Sequence, residues 1–250
     1  MCSIFGVLEI RQDHAAIRKM AIKQSRLIRH RGPDWSGVYD HPRAVLAHER
    51  LSIVDVNTGA QPLISEDGKK ALAVNGEIYN HRDLRDQVRD DYAYKTESDC
   101  EVILPLYEQY GSGFLNQLKG MFAFVLYDES NDSYLVARDP IGIIPLYYGF
   151  DDAQQLYIAS EMKALMDVCT EVHEFPPGHY WTSGDDAPVQ YYERPWFEYA
   201  EVAEATSDST DIRNALEKAV TSHLMTDVPY GVLLSGGLDS SIIAALTQLH

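Results

Sequence analysis

The residues with most chemistry to offer stand at the two ends of the 250-residue chain. At the start, MCSIFGV puts Cys2 directly behind the initiator methionine. Once that methionine is trimmed, Cys2 carries both a thiol and a free α-amino group. An α-amine has a pKa near ~8, so a useful fraction is unprotonated at neutral pH and can activate an adjacent nucleophile. One residue then serves as nucleophile and base together. CSIFGVLEI is also β-rich and alternating, so Cys2 reads as well as a small buried residue on a first strand. Near the other end, Ser235, Gly236, Gly237, Leu238, Asp239 and Ser240 spell SGGLDS between an apolar run, VLL, and a helical one, SIIAALTQL. Two adjacent glycines permit a tight turn with converging backbone N–H groups, and the following helix adds its positive end, which together make an anion nest. The pattern GxxxxGK[ST] is absent, so this is not a Walker loop. The strand–turn–helix context favours phosphate binding over a plain connection.

These groups need elements to hold them. AAIRKMAIKQSRLIRH has apolar residues at helical spacing and closes at the Gly-Pro of RGPD, a segment expected to be a loop from Arg31 to Gly37. RAVLAHERLSIVD and KKALAVNGEIYN read as strands, with HRDLRDQV and SDCEVILPLYEQY as helices behind them. MFAFVLYD, SYLVARD, IPLYYGF and QLYIASE follow as short strands of an antiparallel meander, EMKALMDV as a short helix, and PPGHYWT with VQYYE as a closing hairpin. Antiparallel strands with helices in separate blocks predict a layered α+β domain. FEYAEVAEATSDST is acidic, alanine-rich and short of large apolar residues, and reads as a connector. From Asp211 the pattern changes. DIRNALEKAVTSHLM is a helix with Ser209 or Thr210 as its expected N-cap, and VLL, glycine turn and helix then open a parallel α/β domain. The sequence stops before such a sheet is built.

Composition narrows the function classes. Hydrophobic content of 45% and charged content of 24% are ordinary for a globular protein, and no apolar run approaches a membrane span. A net charge of −17 argues against nucleic acid or an anionic membrane as partner, since either needs a basic patch. Three cysteines without CxxC spacing suggest neither a disulfide framework nor a zinc site, and a reducing cytoplasm is the expected location.

The SGGLDS loop resembles the pyrophosphate loop of ATP pyrophosphatases, enzymes that adenylate a carboxyl or carbonyl oxygen. Together with MCSIFGV it resembles the glutamine-dependent asparagine synthetases whose glutaminase domain has an N-terminal nucleophile. RHRGPDWSG, AHERLSIVD, VNGEIYNH, SDCEV, GMFAF, RDPIGIIPLYYG, ASEMKAL, EFPPGHY and DVPYGVLLSGGLDSS are similar to that family's blocks, in its order, along the whole chain. The resemblance implies a four-layer αββα sandwich over 2–200, a linker over 201–210, and the truncated start of a parallel α/β ATP-pyrophosphatase domain over 211–250. It makes Cys2 the nucleophile. Asn75, through its side-chain amide, and Gly76, through its backbone N–H, become the donors to the oxyanion, although Asn-Gly alone would read as a type I′ hairpin turn. Arg50 becomes the fork that clamps the glutamine α-carboxylate. Glu77 and Asp99 face its α-ammonium, and Leu51, Ser52, Ile53 and Val54 continue the strand whose backbone lines the pocket. Taken singly, Asp99 fits a helix cap equally well. Arg31 and Asp34 have a supporting role, with a structural salt bridge as the alternative, and Cys100 and Cys169 follow neither motif and read as buried thiols.

In the second domain the resemblance implies that Leu233 and Ser235 to Ser240 touch ATP, with Mg²⁺ as its metal and aspartate as the activated substrate; no metal-ligating residues are assigned. The expected partners are therefore glutamine, aspartate and ATP, with a homodimer left open. Two other readings share these features: a β-lactam-forming synthetase, which as a family lacks a working terminal cysteine, and a non-catalytic truncated paralogue acting as a scaffold. The chain as it stands is expected to be competent only for the glutaminase half.

Overall fold

Runs of alternating and β-branched residues build the first part of the chain, and the alternation decides which face of each strand is buried against what. The computed structural model describes residues 2–88, 92–194, 196–206 and 208–250. Two compact units, 1–192 and 193–250, divide the chain.

In the first unit, strand β1 (Ser3–Leu8) leads to helix α1 (His14–Leu27), then to a hairpin of β2 (Trp35–His41) and β3 (Ala44–Arg50). The short β4 (Leu63–Ile64) precedes β5 (Lys70–Ile78), helices α2 (His81–Gln87) and α3 (Ile103–Tyr110), and a second hairpin, β6 (Gly120–Asp128) with β7 (Ser133–Arg138). Strands β8 (Tyr147–Phe150), β9 (Leu156–Ala159), β10 (Glu171–Glu174), β11 (His179–Thr182) and β12 (Val189–Gln190) complete it. They form two sheets, ordered β10-β8-β9-β1-β3-β2 and β12-β11-β7-β6-β5-β4, with antiparallel neighbours throughout.

Three apolar layers define the stacking. Ile17 and Ala21 of α1 pack on Phe5, Val7, Val45 and Ala47, the outer face of the first sheet. Ile4, Leu8, Leu46 and Ile158 on its inner face meet Ala71, Ala73, Ala123, Val125 and Val136 of the second. Leu72, Val74, Phe122, Phe124 and Leu126 then turn outward to Leu84 of α2 and Ile103, Leu104 and Leu106 of α3. Helix, sheet, sheet and helix make the expected four-layer α+β sandwich.

Several local expectations are corrected. The stretch read as one strand through Val54 ends at Arg50, because the Asp34 carboxylate takes the Ser52 N–H (2.9 Å) and the Arg50 guanidinium takes the carbonyls of Val54 (3.1 Å) and Asp55 (2.5 Å). The loop expected through Gly37 is already strand from Trp35, paired to Arg50. EMKALMDV gives only a 3-10 turn at Met162–Ala164. Asn75 and Gly76 sit inside β5 and form no hairpin. Ser98, not Asp99, caps the turn ahead of α3, accepting from Cys100 N–H at 3.3 Å.

The second unit contains α4 (Tyr199–Val202), within the expected connector, α5 (Ser209–His223) and α6 (Leu238–Leu249). Asp208 caps α5 in place of Ser209 or Thr210, accepting from Thr210 N–H at 2.7 Å. VLL is not a strand: Val232 to Leu234 carry no ladder, and Leu233 is 95% exposed. An apolar run becomes a strand only beside a partner strand, and the described residues of this unit offer none. Among the described residues no helix is long and apolar enough to cross a membrane.

One buried carboxylate organises the turn after β7. Asp139 accepts from the N–H groups of Ile141 (3.1 Å), Gly142 (2.6 Å) and Ile143 (3.0 Å) on Oδ1, and of Ile144 (3.0 Å) and Phe122 (3.3 Å) on Oδ2. Removing it strands the N–H groups of Phe122 and Ile144, both fully buried, and frees those of Ile141 and Ile143, while Gly142 keeps the Asp139 carbonyl at 3.2 Å; each buried donor so stranded costs ~1–3 kcal/mol. Asp139→Ala is expected to lower the unfolding free energy by at least about 3 kcal/mol in urea titration; a loss under about 1 kcal/mol would show that the loop repairs itself.

Candidate active site

The inner apolar layer runs out at one end of the sandwich, and polar side chains continue its pattern. Ser3 pairs with Glu49, so Cys2, one residue before β1, comes level with Arg50 at the end of β3. Side chains alternate along both strands, which puts Cys2 on the face of Ile4 and Leu8, and His48 and Arg50 on the face of Leu46. In β5 the same period carries Asn75 and Glu77 on from Ala71 and Ala73. One cavity opens there, lined by Cys2, Arg50, Leu51, Ile53, Val54, Gly59, Gln61, Gly76, Glu77, Ser98, Asp99 and Cys100.

Cys2 Sγ accepts from Leu51 N–H at 3.3 Å and, as a thiol, donates to Leu51 O at 3.5 Å. Burial pushes its pKa up, against the Leu51 hydrogen bond, which favours the thiolate. Arg31 donates through Nε to the Cys2 carbonyl (3.2 Å) and pairs with Glu161 (3.2 Å), so its contact with the site and its salt bridge coexist. Asp34 holds Ser52, as above. Glu49, behind them and buried, accepts from Ser25 (2.8 Å) and from Ser36.

Gly76 has φ +152°, and a Cβ there would lie 2.1 Å from Met121 O, so only glycine fits this point of β5. Asn75 is fully buried, and neither atom of its amide has a hydrogen-bond partner among the described residues. Glu77 Oε2 is likewise buried and unpartnered. Asp99 Oδ2 accepts from Ile78 N–H at 2.6 Å and lies 3.5 Å from the Cys100 thiol, which donates to Gly76 O at 3.7 Å. Burial first, and then the charge of Asp99, push the Glu77 carboxyl up to about 8; burial also raises Asp99. Buried together, the two carboxylates resist ionising at once. A cation is the natural third member.

The cavity thus brings together Cys2, Arg50, Leu51, Ile53, Val54, Gly76, Glu77 and Asp99. Ser52 and Asn75 are not among its lining residues. Sequence reasoning missed four lining residues, Gly59, Gln61, Ser98 and Cys100, and also His48, whose imidazole is buried with Nε2 on Val74 O at 2.8 Å. Only His48 had a readable signal, since it shares its strand face with Arg50. Met1, on which the free amine of Cys2 depends, lies outside the described residues.

In the second unit, Ser235 to Gly237 form an exposed turn, and Leu238 to Ser240 begin α6. Gly236 has φ +85°, Ser235 and Ser240 hydroxyls meet at 3.0 Å, and Ser241 donates to Gly237 O at 2.8 Å. Leu233 points to solvent. No group of three or more His, Cys, Asp or Glu side chains able to hold a metal ion occurs among the described residues.

Two stacked antiparallel sheets between helices, with a cysteine at the head of a central strand, make up the fold of the N-terminal-nucleophile amidotransferases. A glutamine phosphoribosylpyrophosphate amidotransferase from B. subtilis superposes with a TM-score of 0.63 at 20% identity, covering 99% of this chain and 64% of that one. An allosteric regulatory enzyme of purine biosynthesis gives 0.64 at 20%, covering 98% and 63%. Residues 1–177 match the glutamine amidotransferase domain family, and the chain belongs to it. Residues 211–250 match the asparagine synthase family. Among curated relatives, asparagine synthetase B [glutamine-hydrolyzing] of Escherichia coli K12 is 59% identical over all of this chain and 45% of that protein. A probable asparagine synthetase of Schizosaccharomyces pombe is 49% identical, over 98% of this chain and 44% of that protein. The chain therefore spans under half the length of these relatives.

The carboxylate pair has a consequence for stability. Native Glu77 binds its proton more tightly than the unfolded chain does, so the stability it contributes is lost as pH rises from about 4.5 toward about 8. Glu77→Gln is expected to match the wild type at pH 4 and to exceed it at pH 9 by on the order of 2 kcal/mol in urea unfolding. Equal stabilities at pH 9 would mean that the carboxylate is solvated after all.

Proposed function

We propose that this chain hydrolyses glutamine to glutamate and ammonia through Cys2, as the glutaminase part of a glutamine-dependent asparagine synthetase. What carries the reading is one cavity that holds the Cys2 thiol, the Gly76 backbone and two buried carboxylates, in a chain matched to the amidotransferase family over 1–177. Cys2 Sγ attacks the side-chain amide carbon while its proton passes to the Cys2 α-amine, freed by removal of Met1. The oxyanion is taken by Gly76 N–H and the Asn75 amide, each such donor being worth ~3 kcal/mol of barrier. The C–N bond then breaks, the departing nitrogen takes the proton as ammonia, and water cleaves the thioester. Glu77 and Asp99 receive the substrate's α-ammonium. Arg50 faces the α-carboxylate, and its hold on Val54 and Asp55 shapes the backbone of residues 51–54 around the substrate.

The second unit supports a further step in the longer protein. A left-handed glycine and a helix start at residues 235–240 suit the phosphates of ATP, which would activate aspartate as β-aspartyl-AMP for amination. Leu233 belongs to that site by resemblance. The described residues do not fit Mg²⁺, Asp239 being the loop's one carboxylate. A cytoplasmic location and a homodimer accompany the reading as family expectations.

The test is ammonia release from glutamine by this chain. Wild type is expected to turn over, while Cys2→Ala falls to the blank and still binds glutamine in calorimetry, because only the nucleophile is gone. With aspartate, ATP and free ammonia the same chain is expected to form no asparagine. Wild type at the blank would favour the scaffold reading, and loss of glutamine binding in Cys2→Ala would misplace the nucleophile.

A further inference from the structure

We propose that His48 and Gln61 are positioning residues: they stand in for a missing neighbour strand along the second half of β5 and so aim the Gly76 N–H into the cavity. The inference rests on the glutaminase reading and names residues that reading does not use.

β5 is paired along its whole length with β6, but on its other side β4 reaches only Ala71 and Leu72. Beyond them, every second residue turns a backbone N–H and C=O toward an absent strand, and buried backbone groups need partners. The residues concerned are Val74, Gly76 and Ile78, and side chains from separate segments serve them. Gln61 Oε1 accepts from Val74 N–H at 2.7 Å, and His48 Nε2 meets Val74 O at 2.8 Å. The Cys100 thiol donates to Gly76 O, Asp99 accepts from Ile78 N–H, and His81 Nδ1 meets Ile78 O at 3.1 Å. Five of the six groups are thereby occupied. The sixth, Gly76 N–H, has no partner among the described residues, and Gly76 lines the cavity.

The chemistry of the two side chains suits the task. A carbonyl can only accept, so His48 Nε2 carries the proton, and burial keeps the ring neutral by lowering its pKa to about 4. The Val74 peptide groups are then gripped from both sides, donor and acceptor, two residues before the glycine. Gln61 reaches this position because its own backbone comes against Gly37, where a Cβ would lie 1.9 Å from Gln61 O. Both residues are buried, and Gln61 also lines the cavity. Neither needs to touch the oxyanion. Their effect is on where its donor points, and a misplacement of about 1 Å at a reacting centre costs on the order of 100-fold in rate.

Steady-state glutamine hydrolysis is compared in wild type, Gln61→Met, His48→Leu and His48→Gln, with folded fraction read by circular dichroism. In Gln61→Met and His48→Leu, kcat per folded molecule is expected to fall about 10- to 100-fold with KM within about twofold, because the groups facing the amino-acid end are untouched. His48→Gln keeps an N–H donor and is expected to recover to within about fivefold of wild type. Alkylation of Cys2 by iodoacetamide, which develops no oxyanion, should proceed at the wild-type rate in all four proteins. Positioning is overturned if Gln61→Met and His48→Leu keep the wild-type kcat. It is overturned equally if their activity falls only in step with folded fraction, if KM carries the loss, or if His48→Gln is as damaged as His48→Leu. A wild type that releases no ammonia would sink the glutaminase reading itself, a result distinct from any of these.

Discussion

Everything at the site depends on the apolar layer between the two sheets and on the place where it ends. Burial of that layer drives the stacking, at roughly 25 cal/mol per Å² of apolar surface removed from water. Because side chains alternate with a period of two, strands β1, β3 and β5 must each continue the inner face in register past the last apolar residue. The positions reached are Cys2, His48 with Arg50, and Asn75 with Glu77. A slip of one residue in any of these strands would send its polar group to the opposite face. The packing that holds the fold together therefore also fixes which functional groups meet.

This explains what was legible in the sequence. The strands with strong alternation, the blocks of helix behind them and hence a layered α+β domain follow from patterning, because burial enforces the pattern, whereas the order αββα came from the family resemblance. The bond network at the polar end was not legible. Leu51 to Val54 looked like more strand, since nothing local shows that Asp34 and Arg50 would claim its backbone. Asn-Gly looked like a turn for a sound local reason, yet tertiary pairing with Ala123 and Phe122 holds it extended. Asp99 looked like a cap, when Ser98 beside it does the capping and frees Asp99 to face Glu77. VLL in the second unit failed the other way: it has the composition of a strand and no strand beside it. Cys2 stands apart, because its two readings do not compete in space. It continues the alternation of a first strand, and that strand delivers it to the cavity.

Several of the first unit's unpartnered buried groups gather on β3 and β5 beside the cavity, although others, Gln24 Oε1 and Tyr92 Oη among them, lie elsewhere. Both amide atoms of Asn75, Oε2 of Glu77 and Nδ1 of His48 are buried without partners, and Gly76 N–H adds a fifth group within the same few residues of sequence and register. Groups of this kind cost ~1–3 kcal/mol each, which is large against a typical folding stability of ~5–15 kcal/mol. A sandwich with three apolar layers can carry that load at one end, whereas a smaller core could not.

The load also has a direction. In the proposed reaction the donors at Gly76 and Asn75 meet an anionic oxygen, and the Glu77–Asp99 pair, whose pKa values are raised, meets a cation. A ligand with both features at the right separation would relieve the strained groups together, and relief gained only as the oxygen becomes anionic favours the transition state over the bound substrate. Local stability is thus held back where a reacting molecule can supply it. The same logic bears on β5 with its incomplete neighbour: five of its edge groups are satisfied within the protein, and the sixth, Gly76 N–H, is the one the proposed reaction uses.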